Sequence, residues 1–281
     1  MAKRSRSSSS AVIEKRLKEG RGQGQGKAYN PWLHIQDVAS QGLASRIKGW
    51  KTSRVHHLLS KLETEYFYVL EWSDIVSDIR EQYPLLPLAE TLAIAEQLNI
   101  PHPSDPHSKE PVVMTTDFLI TSQRNFLNPI AQARTIKYAK DLQSPRTLEK
   151  LEIERHYWQK RDIDWGIVTE REIPKTVVEN IKWLHPYFDA AGLLPLTQKD
   201  LARIESVLTP QVIEANSSLT NITALCDDQL GIEPGTSLSV VRYLLANRRW
   251  ATNMNKPIRP SKKLEITVKS INIQEKAEGV G

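Results

Sequence analysis

Cysteine is almost missing from this chain. Cys226 is its only one in 281 residues, which excludes an internal disulfide and a thiolate metal cluster. Long apolar runs are missing too, since none approaches the ~20 residues that span a bilayer. The opening MAKRSRSSSS lacks the apolar core of a secretion signal. No Walker sequence follows the glycines at 20–26 and no internal repeat is visible, so a phosphate-loop nucleotidase and a solenoid are both set aside. These absences predict a cytoplasmic protein with no membrane partner. The length favours two domains.

Charge is present in quantity and is unevenly placed. Residues 1–54 carry twelve Lys or Arg against Glu14, Glu19 and Asp37, although the whole chain is only +5. A second basic stretch runs from Arg242 to Lys263 without an acid. Two basic regions on a near-neutral body point to a polyanion, and nucleic acid is the commonest. The candidate DNA contacts are Lys15, Arg16, Arg21, Lys27, Lys51 and Arg54 in the first region, and Arg248, Arg249, Lys262 and Lys263 in the second. Residues 1–10 read as a solvated tail. In KEGRGQGQGKAYNPWL, Gly22, Gly24 and Gly26 would let a backbone approach phosphates closely.

Residues 11–19 predict a short basic helix, and an irregular linker follows to about Ser53. From Val55 to Trp72 the apolar residues keep helical spacing. DIREQYPLLP is an extended segment closed by Pro84 and Pro87, residues 89–99 a short helix, and 101–108 a loop. TTDFLITSQRNFLNPIAQARTIKYAK, residues 115–140, reads as two strands around a polar loop. SPRTLEKLEIERHYWQKRD is a helix beginning near Ser144 or Pro145, and DWGIVTE a buried strand. A second domain begins at about residue 172. There, SSLTNITALCDDQLG and TSLSVVRYLLANRRW are two helices around a turn at Gly231–Gly235, and KPIRPSKKLEITV is a basic arm leading into a strand. That is the order of a winged helix, whose second helix usually enters the major groove.

Alternate residues of a strand share a face. Thr115, Asp117 and Leu119 therefore lie together, as do Ala131, Ala133, Thr135 and Lys137, while Ile130 and Ile136 point the other way. Paired as a hairpin, the two strands bring Asp117 and Lys137 close. Glu63 sits at the border of its helical stripe, beside Leu59 and Leu70, and can point across the core edge. Two carboxylates and a lysine beside a sheet suit metal-dependent phosphodiester hydrolysis. The acids hold a hard cation, and the lysine orients water or stabilises charge on the phosphate. Spacing alone is equally met by a capping aspartate and a solvent-facing lysine.

GRGQGQGKAYNPWL, KTSRVHHLLSKLE, LEWSDIVSDIREQYPLLP, TTDFL and RTLEKLEIERHYW occur in collinear order over about residues 10–185. They resemble successive blocks of the TnsA family, the endonuclease subunits of Tn-seven-type heteromeric transposons. The resemblance is weaker over the last hundred residues. It implies an α/β fold with a mixed sheet: a basic arm over 1–28, a type II restriction-endonuclease-like catalytic domain over 29–171, and a winged-helix-like domain binding DNA or partners over 172–281. It further implies that Glu63, Asp117 and Lys137 are catalytic. Glu63, Asp117 and the backbone carbonyl of Ile136 would hold Mg²⁺, for which Mn²⁺ substitutes.

Restriction enzymes carry an acid two residues before the lysine, where this chain has Thr135. The TnsA family resembles the chain in lacking that acid, so the carboxylate is expected from Glu63 or, second, from Glu154 on the following helix. Glu149 and Glu152 are expected to pair on the helix surface with Lys150 and Arg155. The implied activity is hydrolytic nicking at the 5′ ends of a transposon during cut-and-paste transposition. The implied partners are double-stranded transposon-end DNA, a DDE-type transposase cutting the 3′ ends, and an AAA+ ATPase regulator. Two other readings stay open: an autonomous restriction-like or repair nuclease, and a non-catalytic DNA-binding adaptor, which Thr135 keeps in play.

Overall fold

Capping residues set several of the element boundaries. The computed structural model describes residues 10–38, 43–123, 128–193 and 195–268 and divides into two units, Met1–Ile173 and Pro174–Gly281. The first nine residues of the basic arm and the middle of the polar loop after β4 lie outside the described residues. The first unit runs α1 (Ser10–Lys18), β1 (Ser45–Lys48), β2 (Val55–Leu58), α2 (Lys61–Trp72), β3 (Val76–Pro84), α3 (Leu88–Gln97), β4 (Thr115–Ser122), β5 (Ile130–Ile136), α4 (Pro145–Gln159) and β6 (Asp164–Val168). Ser60 caps α2 by accepting from the Glu63 amide at 3.1 Å. Ser144 likewise caps α4, and Pro145 stands in its first turn, where a missing amide costs nothing.

The central sheet has the order β3-β4-β5-β6. Its first two pairings are antiparallel, and β5 pairs with β6 in parallel. A parallel neighbour needs a crossover, and α4 provides it. Leu119 and Ala133 pack with Ile94 and Ala95 of α3 and with Ile153, Tyr157 and Trp158 of α4. Phe118 instead meets Tyr66 of α2 edge-on, with ring centroids 5.7 Å apart. The sheet therefore lies between α2 and the α3/α4 pair. Burying one such side chain contributes about 1.5–3 kcal/mol.

Several expectations give way. Val55–Leu58 is a strand, not the start of a helix, and it pairs antiparallel with a strand inside the expected linker. The stretch DWGIVTE is a strand, but only Val168 of β6 is buried because β6 is the edge of the sheet. A Cβ on Gly22 would stand 2.3 Å from the Pro84 ring, and one on Gly24 2.4 Å from the Ala28 carbonyl. Both glycines thus serve the packing of the chain on itself. Glu149 pairs with Arg146 at 2.7 Å and not with Lys150, whereas Glu152 does pair with Arg155.

The second unit contains α5 (Lys175–Leu184), α6 (Gln198–Glu214), α7 (Leu219–Leu230), α8 (Thr236–Ala246), and a two-residue ladder of β7 (Trp250–Ala251) with β8 (Thr267–Val268). Gly231, at φ 62°, closes α7. The Asp227 carboxylate accepts from the amides of Gly235 and Ser237 at 2.7 and 2.8 Å, tying the end of α7 to the start of α8. Every residue of α8 is buried or half-buried, with Val240, Val241, Leu244 and Leu245 in the core. This helix is the centre of the unit. It is not free to read a DNA groove, so the major-groove role expected for it is withdrawn.

Candidate active site

Lys137 follows β5 directly, and its amide donates to the Val168 carbonyl at 3.1 Å, which ties the lysine backbone to the end of β6. Its Nζ lies 3.2 Å from Asp117 Oδ2 and donates to the Ile136 carbonyl at 2.9 Å. Asp117 Oδ2 also accepts from the Ile136 amide at 2.6 Å. The expected hairpin thus brings Asp117, Ile136 and Lys137 together. Burial opposes the Lys137 charge, but the carboxylates of Asp117 and then Glu154 outweigh it and hold the amine pKa above its ordinary value.

Glu63 projects from the first turn of α2. Its Oε2 accepts from the Leu59 amide at 2.9 Å and from Gln82 Nε2 at 3.1 Å. Burial, reinforced by the negative charge of Asp117, pushes its carboxyl up to about 7. Glu154 on α4 is also buried. Its Oε1 accepts from Thr116 Oγ1 at 2.6 Å and from Thr135 Oγ1, while Trp158 Nε1 donates to Thr116 Oγ1 at 2.6 Å. Burial raises the Glu154 carboxyl as well.

Gln82 and Thr116 were not singled out in the sequence. Both are buried, but β3 and β4 carry several other polar residues, so nothing in the sequence marked these two out. Gln82 has a positive φ of 50°, and it interrupts the pairing locally between Glu81↔Phe118 and Tyr83↔Thr116 while the register runs on unchanged. Thr116 reaches α4 while Phe118, two residues on, meets α2. Strict alternation fails at the site itself.

The donor set fits a divalent cation. The protein's hydrogen bonds to Glu63 fall on Oε2 and those to Asp117 on Oδ2. The other oxygen of each carboxylate, and the second lone pair of the Ile136 carbonyl, are the hard donors such an ion takes. A positive charge there would also relieve the repulsion between Glu63 and Asp117. Among the described residues no three His, Cys, Asp or Glu form a ready metal cage, so solvent or substrate oxygens would complete the shell.

The basic residues divide sharply. Arg54 is buried: it donates to Glu81 Oε1 at 2.8 Å, to Glu81 Oε2 and to the Ile79 carbonyl, and it stacks on Tyr29. It is a core residue, and its assignment to DNA is withdrawn. Arg21 is held by Glu19 and Asp37, Arg16 lies over the Trp32 ring, and Arg249 is paired with Glu205. Lys51 donates to the Ser73 carbonyl at 2.7 Å, and Arg248 is half-buried. Lys15, Lys27, Lys262 and Lys263 are exposed.

A mixed sheet between helices, with two acids and a lysine gathered where β4 and β5 meet, defines the restriction-endonuclease-like class of DNA-cutting enzymes. Residues 73–170 match the family model for the TnsA-like endonuclease N terminal, and residues 172–254 the one for the TnsA endonuclease C terminal. The chain is 40% identical over 277 residues to the transposon Tn7 transposition protein TnsA of Escherichia coli, covering 98% of each chain. It belongs to the TnsA family of transposition endonucleases. Among the described residues no helix is long and apolar enough to cross a membrane.

Proposed function

We propose that the chain nicks the 5′ ends of a transposon by metal-dependent hydrolysis, with Glu63, Asp117 and Lys137 as its catalytic residues. The observation that carries this reading is the 3.2 Å contact between Lys137 Nζ and Asp117 Oδ2, with the buried Glu63 carboxyl close enough to feel the same charge. Glu63, Asp117 and the Ile136 carbonyl would hold Mg²⁺, with Mn²⁺ as a substitute. When bound, the ion supplies positive charge that activates a water and neutralises the phosphate. Asp117 keeps Lys137 protonated and aimed. The lysine's one remaining proton would meet the attacking water or a phosphate oxygen. Glu154 accepts two threonine hydroxyls on Oε1, which ties α4 to β4 and β5, and its other oxygen is the second candidate for the carboxylate that Thr135 lacks. Thr135, where an acid would stand, gives its hydroxyl to this carboxylate.

The partners that follow are duplex transposon ends, a DDE-type transposase for the 3′ strands and an AAA+ ATPase regulator, in a cytoplasmic assembly on DNA. The second unit is read as winged-helix-like, with the arm carrying Lys262 and Lys263, rather than α8, as its DNA contact. The test is cleavage of strand-labelled transposon-end DNA by the protein with its transposase, ATPase and Mg²⁺. Wild type is expected to nick the 5′ strand, and Lys137→Ala to lose that nick while 3′ cutting persists. Persistence of 5′ nicks in the variant would remove Lys137 from the mechanism. A wild-type mixture that cuts only 3′ strands would make the chain an adaptor.

A further inference from the structure

Beside Lys137 lies a cavity of about 550 Å³, well inside the roughly 300–1,000 Å³ typical of small-ligand pockets. Its walls are the segment entering β4, the turn after β5, and one face of α4. On that face Thr147, Lys150, Leu151 and Glu154 recur at helical spacing, running from exposed Lys150 to buried Leu151 and Glu154. Lys137, Lys140 and Lys150 line the pocket together with Asp141 and Glu154. Lys137 is held by Asp117 and Glu154 by its threonines. Neither Lys140 nor Lys150 is ion-paired among the described residues. Val112, Val113 and Met114 supply the apolar part of the lining.

A phosphodiester alone needs neither this volume nor an apolar wall. Cations at the mouth, an apolar side and the catalytic lysine at one edge are together the chemistry of a whole nucleotide. We propose that the pocket receives the base of the nucleotide flanking the scissile phosphate, unstacked from the duplex, with Lys140 and Lys150 on its outer phosphate. This rests on the nuclease reading above and adds how the cut position is chosen. Base pairs that open readily next to the cut lower the cost of unstacking, so the pocket favours ends that carry them.

Val112 is half-buried at the pocket wall, so Val112→Trp fills the space without entering the core. In the same transposase mixture, Val112→Trp is expected to slow 5′ nicking at least about tenfold on intact DNA, because the strand is displaced from the lysine. An abasic site at the one flanking position should restore the variant to the wild-type rate on that substrate. Full-rate nicking of intact DNA by Val112→Trp, or no rescue at any abasic position, would overturn the proposal. A second readout needs no cleavage. With Lys137→Ala, 2-aminopurine at the flanking position should brighten on assembly, and adding Val112→Trp should abolish the rise. A fluorescence rise without wild-type nicking would defeat the nuclease reading but leave the pocket. Nicking without a rise would defeat the pocket alone.

Discussion

Glu81 and Glu63 are both buried in the N-terminal unit, and their surroundings treat their charge in opposite ways. Glu81 takes both terminal guanidinium nitrogens of Arg54, His56 Nδ1 at 2.8 Å and the His57 amide at 3.0 Å. Burial alone would raise its carboxyl, but His56 and Arg54 bring it far below the usual carboxylate range. Glu63 receives only an amide and a glutamine NH₂, with Asp117 as its foremost charged neighbour, and its carboxyl rises to about 7. One carboxylate is completed by the protein. The other is left short of positive charge. A fold that can satisfy a buried acid so fully at Glu81 leaves Glu63 without such a partner, and the cation proposed above would fill that gap.

The largest expected effect is catalytic. Lys137→Ala should cost about 10³-fold or more in 5′ nicking, the size of losing a charge stabiliser in a dry site, with circular dichroism unchanged. A loss below tenfold would place the lysine outside the reaction.

Next comes stability. Glu81→Gln should destabilise the N-terminal unit by about 3–5 kcal/mol in urea unfolding, because it strands the buried Arg54. Glu81 is depressed in the fold, so the unfolded chain binds its proton more readily. Its contribution is present above the ordinary carboxylate pKa and is lost as pH falls through the folded value. Acid unfolding of wild type should accordingly steepen below about pH 4, and Glu81→Gln should lack that component.

Glu63→Gln should act in the opposite direction. A carboxyl raised to about 7 binds its proton more tightly folded than unfolded. Metal-free stability therefore falls with rising pH from about 4.3 to 7. At pH 8 the substitution should stabilise the metal-free protein by on the order of 2 kcal/mol, while abolishing nicking.

The smallest effect separates the basic residues. Lys262→Ala with Lys263→Ala should weaken DNA binding evenly across sequences and reduce the salt slope by about two. Arg54→Ala should leave that slope unchanged and lower stability instead.

Much of this was legible in the sequence where the deciding contacts are local. Asp117 and Lys137 belong to one antiparallel hairpin, and short-range alternation placed them close. Ser144 and Pro145 marked the start of α4 by capping chemistry alone. What was not legible depends on partners distant in sequence. Arg54 reads as a phosphate contact until the fold brings in Glu81, 27 residues on. Val55–Leu58 is too short for its period to separate strand from helix, and only its pairing with β1 decides. An apolar run such as DWGIVTE does not reveal that it lies at a sheet edge. The burial of α8 comes from the helices packed around it, which its own amphipathic pattern does not count.

The most direct test of the contrast is a thermal melt at pH 8 with and without Mg²⁺, on wild type, Glu63→Gln and Asp117→Asn. The expected result is a Mg²⁺-dependent rise in Tm for wild type, by mass action on the folded state. Glu63→Gln should already melt higher without metal, and neither variant should respond to Mg²⁺. A Mg²⁺ response that survives in both variants, or a Glu63→Gln protein less stable than wild type without metal, would contradict the assignment of these two carboxylates to a cation.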